Sequence, residues 1–194
     1  SSILGSLKSD ANVGVYVINR EGVTFGPGSR VSTGSFFASD LNLTDDNDFL
    51  NASTKLRFSS ASPTSNGILF DSVDGPSLIE TASNGSESGG RMGDMVLLGS
   101  SIRCACNMNP PTVTATGGDI GIIVAGDVTV QQSAGSPLSF VINSGTLWNQ
   151  STFGTVGALQ ILGVLTGNNI TLGAFRAQRN DGSRLLLSYG GSMF

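Results

Sequence analysis

Three aspartates and two arginines are the residues of this chain whose types and spacing could support acid–base chemistry. Asp94 and Asp119 are 25 residues apart, each precedes a short apolar segment, and Asp127 follows soon after. Arg91 and Arg103 lie nearby in the sequence. Enzymes that cleave polysaccharides use paired carboxylates, or a calcium–aspartate cluster with an arginine base. These five residues are therefore the candidates for such a site.

The interval between Asp94 and Asp119 has two interpretations. If it is one coil of a repeating structure, the two carboxylates stack about 4.8 Å apart and could form a catalytic ladder. Alternatively, each aspartate bonds its own backbone in a turn, as Asn169 would do further along. Because this third copy is Asn rather than Asp, we favour the turn interpretation and expect no enzymatic activity.

The two cysteines, Cys104 and Cys106, are separated by one residue. On a strand they would share a face with Cα atoms roughly 6.5 Å apart, at the outer limit for a disulfide. A strained redox pair, half of a metal site and two small apolar residues in a core are the alternatives. The sequence contains no further cysteine and no histidine, which favours the core interpretation.

The composition excludes several classes of protein. The chain of 194 residues has no His, which excludes Ser-His-Asp catalysis and histidine-ligated metals, so we expect no cofactor and no metal site. The net charge is −4 and the basic residues are scattered, so we expect no nucleic-acid partner. Charged residues make up 12% and the mean hydropathy is +0.14, which argues against disorder.

A repeat of turn residues and apolar strands predicts the fold class. Residues 93–100, 118–125 and 168–174 each begin with Gly or Asn, continue with Asp or Asn, and then become apolar. Their spacing is 25 and then 50 residues, with a weaker copy at 144–148. Such a period is typical of an all-β solenoid whose coils pair by parallel strands. The 27 glycines would supply the turns.

Two segments depart from this pattern. Residues 44–50 predict a short helical turn with Thr44 as the N-cap and acidic residues in the first turn, a calcium loop being the alternative. Residues 59–87 contain Pro63, Pro76 and two Asn-Gly pairs, which predict a hairpin or loop outside the regular coils.

Three sequence blocks near the beginning occur in an order typical of one family. The first is an Ile-Leu-Gly-x-Leu box, the second joins an Asn-to-Gly turn to Val-x-Phe-Gly, and the third is Phe-Ala-Ser. The residues that carry them are Ile3, Leu4, Gly5 and Leu7, then Asn19, Gly22, Val23, Phe25 and Gly26, then Phe37, Ala38 and Ser39. Together they resemble the N-terminal secretion domain, or TPS domain, of two-partner secretion exoproteins, the filamentous-haemagglutinin family.

The resemblance implies a fold, a partner and a location. It implies a single right-handed parallel β-helix over residues 1–194. The partner would be an outer-membrane barrel transporter with periplasmic POTRA domains, which recognises the secretion domain. Once outside the cell, folding of the exoprotein would begin at this domain. The parent exoprotein would be secreted to the cell surface, most plausibly as an adhesin that binds a host receptor or glycan. Residues 19–26 would include the transporter-recognition turn.

The chain departs from the family in two ways. Arg20 and Glu21 stand where the family has Pro and Asn, although Asn19 and Gly22 still suit a type I turn. The family also has capping strands upstream of the Ile-Leu-Gly box, which the sequence given does not include. A solenoid without its cap exposes strand edges, so we expect end-to-end self-association.

The composition leaves two further functions open. A solenoid could instead be a carbohydrate-active protein, for which Trp148 would offer a stacking surface, or a unit that assembles into surface fibres. Activity on glycans would indicate the former, and regular filaments would indicate the latter.

Overall fold

A computed structural model describes residues 1–50, 55–59, 66–82, 93–105, 109–131, 136–144 and 159–175, with only the backbone described at 160–162 and 187–193. The chain is nearly all β, with parallel sheets. The first six strands are β1 (Ser2–Ile3), β2 (Ser6–Lys8), β3 (Gly14–Ile18), β4 (Val23–Phe25), β5 (Arg30–Thr33) and β6 (Ser35–Ser39). Next come β7 (Asn42–Leu43), the helix α1 (Asp46–Leu50) and β8 (Lys55–Ser59).

The second half of the chain continues in the same manner. Its strands are β9 (Ile68–Asp71), β10 (Leu78–Ala82), β11 (Met95–Gly99), β12 (Ile102–Ala105), β13 (Thr112–Thr116) and β14 (Ile120–Val124). They are followed by β15 (Asp127–Gln131), β16 (Ser139–Ser144), β17 (Leu159–Thr166), β18 (Ile170–Ala174) and β19 (Leu187–Met193).

The parallel strands form three stacks that the chain visits repeatedly in the same order. The first stack is β1-β4-β9-β12-β17, the second is β2-β5-β10-β13-β17, and the third is β3-β6-β11-β14-β18. The strand β17 is long enough to belong to the first stack at Leu159 and to the second from Val164 onwards. We call one passage through the stacks a coil.

The interior between the three stacks is the first of two apolar cores. Side chains at equivalent positions of successive coils form ladders, such as Phe36, Met95, Ile120 and Ile170 along the third stack. Each ladder buries branched or aromatic side chains in parallel strands, which is the arrangement that favours β-branched residues. The predicted alignment of Asp94 with Asp119 is therefore confirmed, because Met95 pairs with Ile120.

A second core lies on the outer face of the third stack. An antiparallel sheet, β16-β15-β8-β7, covers that face. Its members Leu56, Phe58, Val128 and Val130 pack against Phe37, Val96, Leu98 and Ile123 of the stack. Because β11 and β14 are buried on both faces, their sequences are continuously apolar rather than alternating. Gly121 belongs to this interface, since a Cβ there would lie 2.1 Å from the Phe140 ring.

Two predictions about the organisation are wrong. Residues 68–71 and 78–82 are not a decoration but strands of the first and second stacks, because β9 pairs with β4 and β12, and β10 with β5 and β13. Of the proposed copy at 144–148, only Ser144 lies among the described residues, and it does not belong to a parallel stack. Ile120 pairs directly with Ile170, and Ser144 instead pairs antiparallel with Asp127. The 50-residue interval thus contains an excursion into the antiparallel sheet.

The short helix is present, with a different cap. The Asn47 N–H donates to the Asp45 carboxylate over 2.8 Å, so Asp45 provides the cap. Thr44 instead donates its hydroxyl to the Arg57 carbonyl and so continues the pairing of β7 with β8. Phe49 of α1 packs edge-on against Tyr16, with ring centroids 4.8 Å apart, which places the helix beside β3.

Candidate functional site

The first two sequence blocks lie side by side in neighbouring coils. Ile3 pairs with Phe25, and the Gly26 N–H donates to the Ile3 carbonyl over 2.9 Å. Ile3 and Leu7 pack against the first core, whereas the Leu4 side chain is 72% exposed. Core packing therefore accounts for Ile3 and Leu7 of the first block but not for Leu4, whose side chain faces solvent.

The Val-x-Phe-Gly part of the second block holds the coils together. Val23 and Phe25 are fully buried, and the Phe25 ring stacks on Phe70 of the next coil with centroids 4.9 Å apart. A Cβ at Gly26 would lie 2.6 Å from the Leu4 side chain. The absence of a side chain at Gly26 thus gives Leu4 the space that it occupies. Gly5, by contrast, has open space around it, and its carbonyl accepts from the Arg30 N–H.

The Asn19-to-Gly22 segment forms the expected four-residue turn. The Gly22 N–H donates to the Asn19 carbonyl over 2.8 Å, and the Asn19 side chain accepts from the Glu21 N–H over 3.1 Å. Gly22 has a φ of +108°, and a Cβ there would lie 2.8 Å from the Gly67 carbonyl, so the position requires glycine. Arg20 and Glu21 form an ion pair whose side chains are each 72% exposed.

The third block is part of the cores rather than of the surface. Phe37, Ala38 and Ser39 belong to β6 and are all buried. Ala38 faces the first core and Phe37 the second, where it stacks on Phe58 at 4.8 Å. The Ser39 hydroxyl accepts from the Leu41 N–H over 2.9 Å and shapes the turn after β6. Of the three blocks, only the first two present groups to solvent.

The aligned aspartates bind backbone groups of the next coil. Asp94 accepts the Asp119 N–H over 2.9 Å. The Asp119 carboxylate is 9% exposed and accepts the Asn169 N–H at 3.2 Å, the Asn169 side-chain amide at 2.8 Å and the Leu138 N–H at 2.8 Å. We expected each aspartate to bond its own turn, and the structure corrects this to the backbone one coil onwards. These groups tie coils together.

Sequence reasoning missed a third aspartate that links neighbouring coils. Asp40 follows β6 and is 2% exposed. Its carboxylate accepts the N–H of Ser100 over 2.8 Å and also accepts the Ser100 hydroxyl. Ser100 follows β11, so the bond again joins neighbouring coils of the third stack. Asp40 carries no repeat signal because its equivalents in other coils are not acidic.

Asp127 is committed to a different contact. Arg57 donates two bonds to its carboxylate, at 3.0 and 2.6 Å, and Asn143 donates a third at 2.9 Å. The hydrogen bond from Arg57 lowers the pKa of Asp127, against an opposing effect of burial, and the contact raises the pKa of Arg57. The three residues join β8, β15 and β16 and do not approach the Asp94–Asp119 pair through any described bond.

The candidate base, Arg103, lies away from these aspartates. It belongs to β12 in the first stack, whereas Asp94 and Asp119 precede strands of the third. Burial lowers the pKa of its guanidinium group. The described bonds of Asp94 and Asp119 are thus made to backbone and amide donors, and Arg103 belongs to a different stack.

Cys104 is disulfide-bonded and 7% exposed. The other cysteine of the sequence, Cys106, lies outside the described residues, as do Arg91 and Trp148. Burial of Cys104 in the first core agrees with the core interpretation. The disulfide bond is what the alternative of a cysteine pair implies, so Cys104 combines a position in the core with an oxidised sulfur.

A cleft of about 590 Å³ opens between the edges of the third stack and the antiparallel sheet. Its lining residues are Tyr16, Ile18, Asn42, Leu43, Asp46 and Phe49. The strands β3 and β7 are the edge strands of their sheets, and α1 closes the remaining side. Sequence reasoning assigned these residues no function beyond the calcium-loop alternative for residues 44–50, because the cleft exists only where the edges of two sheets meet.

Two features are absent from the described residues. They contain no group of three or more His, Cys, Asp and Glu side chains that could hold a metal ion. Within the same residues, no helix has the length and apolar character needed to span a membrane.

Comparison with known proteins adds no relative. No known protein family matches the sequence, and no curated protein matches it significantly. The function must therefore be argued from the arrangement of the residues.

Proposed function

We propose that this chain is a right-handed parallel β-helix that serves as the secretion domain of a two-partner secretion exoprotein. In this proposal an outer-membrane transporter with periplasmic POTRA domains recognises the domain, and the parent protein reaches the cell surface as an adhesin. Recognition and nucleation of folding are the activities of the domain, and no catalysis or cofactor is involved.

The observation that carries the proposal is the exposure of Leu4 beside the turn block. The Ile-Leu-Gly box and the Val-x-Phe-Gly box are adjacent in space, as paired strands β1 and β4. Within them, Leu4 is 72% exposed, and the Asn19-to-Gly22 turn presents Arg20 and Glu21 to solvent. An exposed leucine in a motif that otherwise builds the core is consistent with a surface kept for a protein partner.

Two further observations support the proposal. The strands of the three parallel stacks recur in the same order, as they would in a β-helix that folds coil by coil. Cys104 is disulfide-bonded, and disulfides are typical of oxidising compartments such as the periplasm and the cell exterior. The aspartates that could have indicated a carbohydrate-cleaving enzyme are bound to backbone donors, which favours recognition over catalysis.

Export through the two-partner transporter encoded with this protein tests the proposal. Co-expression should release the chain into the medium, and release should require the transporter. The Leu4→Ala variant should fold, because Leu4 contributes little to the core, but its export should fall by about tenfold or more, as expected for a hot-spot contact.

The matched control is Leu50→Ala, which truncates another exposed leucine, 76% exposed at the end of α1. Its export should equal that of the unaltered chain. Circular dichroism of each purified variant establishes that it is folded. Release without the transporter, or equal export of the two variants, would contradict the proposed function.

A further inference from the structure

The cleft between β3 and β7 combines an apolar pocket with an unpaired strand edge. In the described part of the chain, β3 is the last strand of the third stack, paired only with β6. The Asn19 N–H donates to the Ser39 carbonyl of β6. Since backbone groups of a strand alternate in direction, Val17 also points towards β6, whereas Tyr16 and Ile18 point their N–H and C=O groups to the open side.

The same two residues line the pocket with their side chains. Tyr16 and Ile18 lie on the face of β3 opposite to Val15 and Val17, which pack against the first core. A strand added to the edge of β3 would therefore form backbone hydrogen bonds with Tyr16 and Ile18, the residues whose side chains line the pocket. In this mode of recognition, main-chain hydrogen bonds provide affinity, and a pocket for alternate side chains provides specificity.

The lining of the cleft selects the side chain that would enter it. Tyr16, Ile18, Leu43 and Phe49 form apolar and aromatic walls, and Asp46 is the charged residue of the lining. Asp46 is exposed and belongs to a helix with acidic residues in its first turn and no basic residue in its last. A long aliphatic stem that ends in a cation satisfies the walls, the aromatic rings and the carboxylate together.

We propose that the β3–β7 cleft binds an extended segment of a partner protein, which pairs with the edge of β3 and inserts an Arg or Lys side chain beside Asp46. The inference does not depend on the proposed function, because it rests on the edge, the pocket and the charge alone. Leu4 and the Asn19-to-Gly22 turn are not part of the cleft.

Binding of synthetic peptides to the folded chain tests this proposal. The probe is a fluorescein-labelled hexapeptide, Thr-Val-Arg-Val-Thr-Val, and its counterpart carries Glu in place of Arg. Fluorescence anisotropy should show at least tenfold tighter binding of the Arg peptide, and added salt should weaken it. N-methylation of alternate backbone amides of the peptide should abolish binding in one register, because it removes the main-chain donors.

Two protein variants locate the contact. Asp46→Asn should weaken binding of the Arg peptide by about tenfold, as expected for loss of a charge-assisted hydrogen bond. Asp48→Asn, which removes the same charge from the same helix outside the cleft lining, should have less than a threefold effect. Ile18→Pro removes an edge N–H while leaving the pairing to β6, and should also weaken binding.

Several outcomes would overturn the proposal. Equal affinity for the Arg and Glu peptides would exclude the cationic side chain, and unchanged binding of both N-methylated peptides would exclude edge pairing. Equal effects of the Asp46 and Asp48 substitutions would indicate general electrostatic attraction. A dimer of the chain alone in sedimentation at the assay concentration, lost in Asp46→Asn, would assign the cleft to a second copy.

Discussion

At the scale of single residues, the chain uses buried carboxylates to fasten one coil to the next. Asp40 and Asp119 both accept a backbone N–H from a neighbouring coil. Asp40 directly follows a strand of the third stack, and Asp119 directly precedes one. Carboxylates strengthen such bonds relative to neutral acceptors. Asn169 continues the position of Asp119 and donates its amide back to it. The carboxylate of Asp119, one of the candidates for acid–base chemistry, thus links neighbouring coils.

The Asp119→Asn substitution should therefore destabilise the fold. An amide can keep one acceptor, but its NH₂ group would face either the Leu138 N–H or the Asn169 donors. One buried donor then loses its partner, and we expect a loss of about 1–3 kcal/mol in the free energy of unfolding. Urea denaturation at pH 7 measures it.

The control for this prediction is Asp74→Asn, which removes the same charge at an exposed position. Its unfolding free energy should stay within about 0.5 kcal/mol of the unaltered chain. Equal stability of all three proteins would mean that the carboxylate of Asp119 has no structural role.

At the scale of elements, the sequence predicted the parallel strands better than the antiparallel sheet. The repeat around Asp94 and Asp119 was visible because one coil separates the two copies directly. Two segments that leave the parallel stacks contribute the antiparallel strands: one contains β8, and the other contains β15 and β16. Their alternating burial patterns are those of any half-buried strand. Nothing local specifies that β8 pairs with β15, 70 residues away at the Arg57–Asp127 contact.

The prediction of a loop over residues 59–87 was wrong because turn-forming residues were taken as evidence against strands. Residues 68–82 contain Pro76 and follow an Asn-Gly pair, and both features usually indicate a turn. In the structure, however, one strand of a parallel stack lies before Pro76 and another lies after it. Pro, Asn and Gly are needed in the short turns that connect strands of successive stacks as much as they are in long loops. The candidate site divides in the same way: the Asn19-to-Gly22 turn was predictable from local spacing, whereas the β3–β7 cleft depends on which sheet edges meet.

The antiparallel sheet should contribute substantially to stability, as a cover for the third stack. Phe58 is fully buried and stacks on Phe37 across the second core. Phe58→Ala should lower the free energy of unfolding by about 3–5 kcal/mol, through lost burial and the cavity left behind. Leu50→Ala, at an exposed apolar site, is the control and should cost less than about 1 kcal/mol. A change of less than about 1 kcal/mol in the free energy of unfolding of Phe58→Ala would show that the antiparallel sheet contributes little to stability.

The Arg57–Asp127 contact makes the antiparallel sheet sensitive to acid. The hydrogen bond from Arg57 lowers the pKa of Asp127 in the folded state. A carboxyl group with a lowered folded-state pKa stabilises the fold above its unfolded pKa of about 3.9, and this stabilisation is lost as pH falls through the folded value. The stability difference between the unaltered chain and Asp127→Asn should thus be constant from pH 7 to 5 and shrink below about pH 4.

Urea midpoints at pH 7, 5 and 3 measure this difference. The effect should also weaken in high salt, because the Arg57 side chain is 55% exposed. A difference between the two proteins that stays the same at pH 3 would show that Asp127 acts through packing rather than charge.

At the scale of the whole molecule, stability should vary with position along the stacks. The inner strands of the third stack have paired neighbours on both sides and a core on each face, whereas β3 has one neighbour and an open edge. Local opening costs least where the fewest contacts are broken. The edge strands of this stack, β3 and β18, are therefore the strands of it that should open most easily.

Hydrogen exchange of backbone amides measures this gradient residue by residue. Amides of β11 and β14 should exchange most slowly, because opening them disrupts both cores. Within β3 the pattern should alternate: Val17 bonds to β6 and should be protected, whereas Tyr16 and Ile18 face the open side and should exchange about 100-fold faster. Equal protection of these three amides would require another strand at the edge of β3. Protection that rises with protein concentration would identify that strand as a second copy, since only a bimolecular contact responds to concentration.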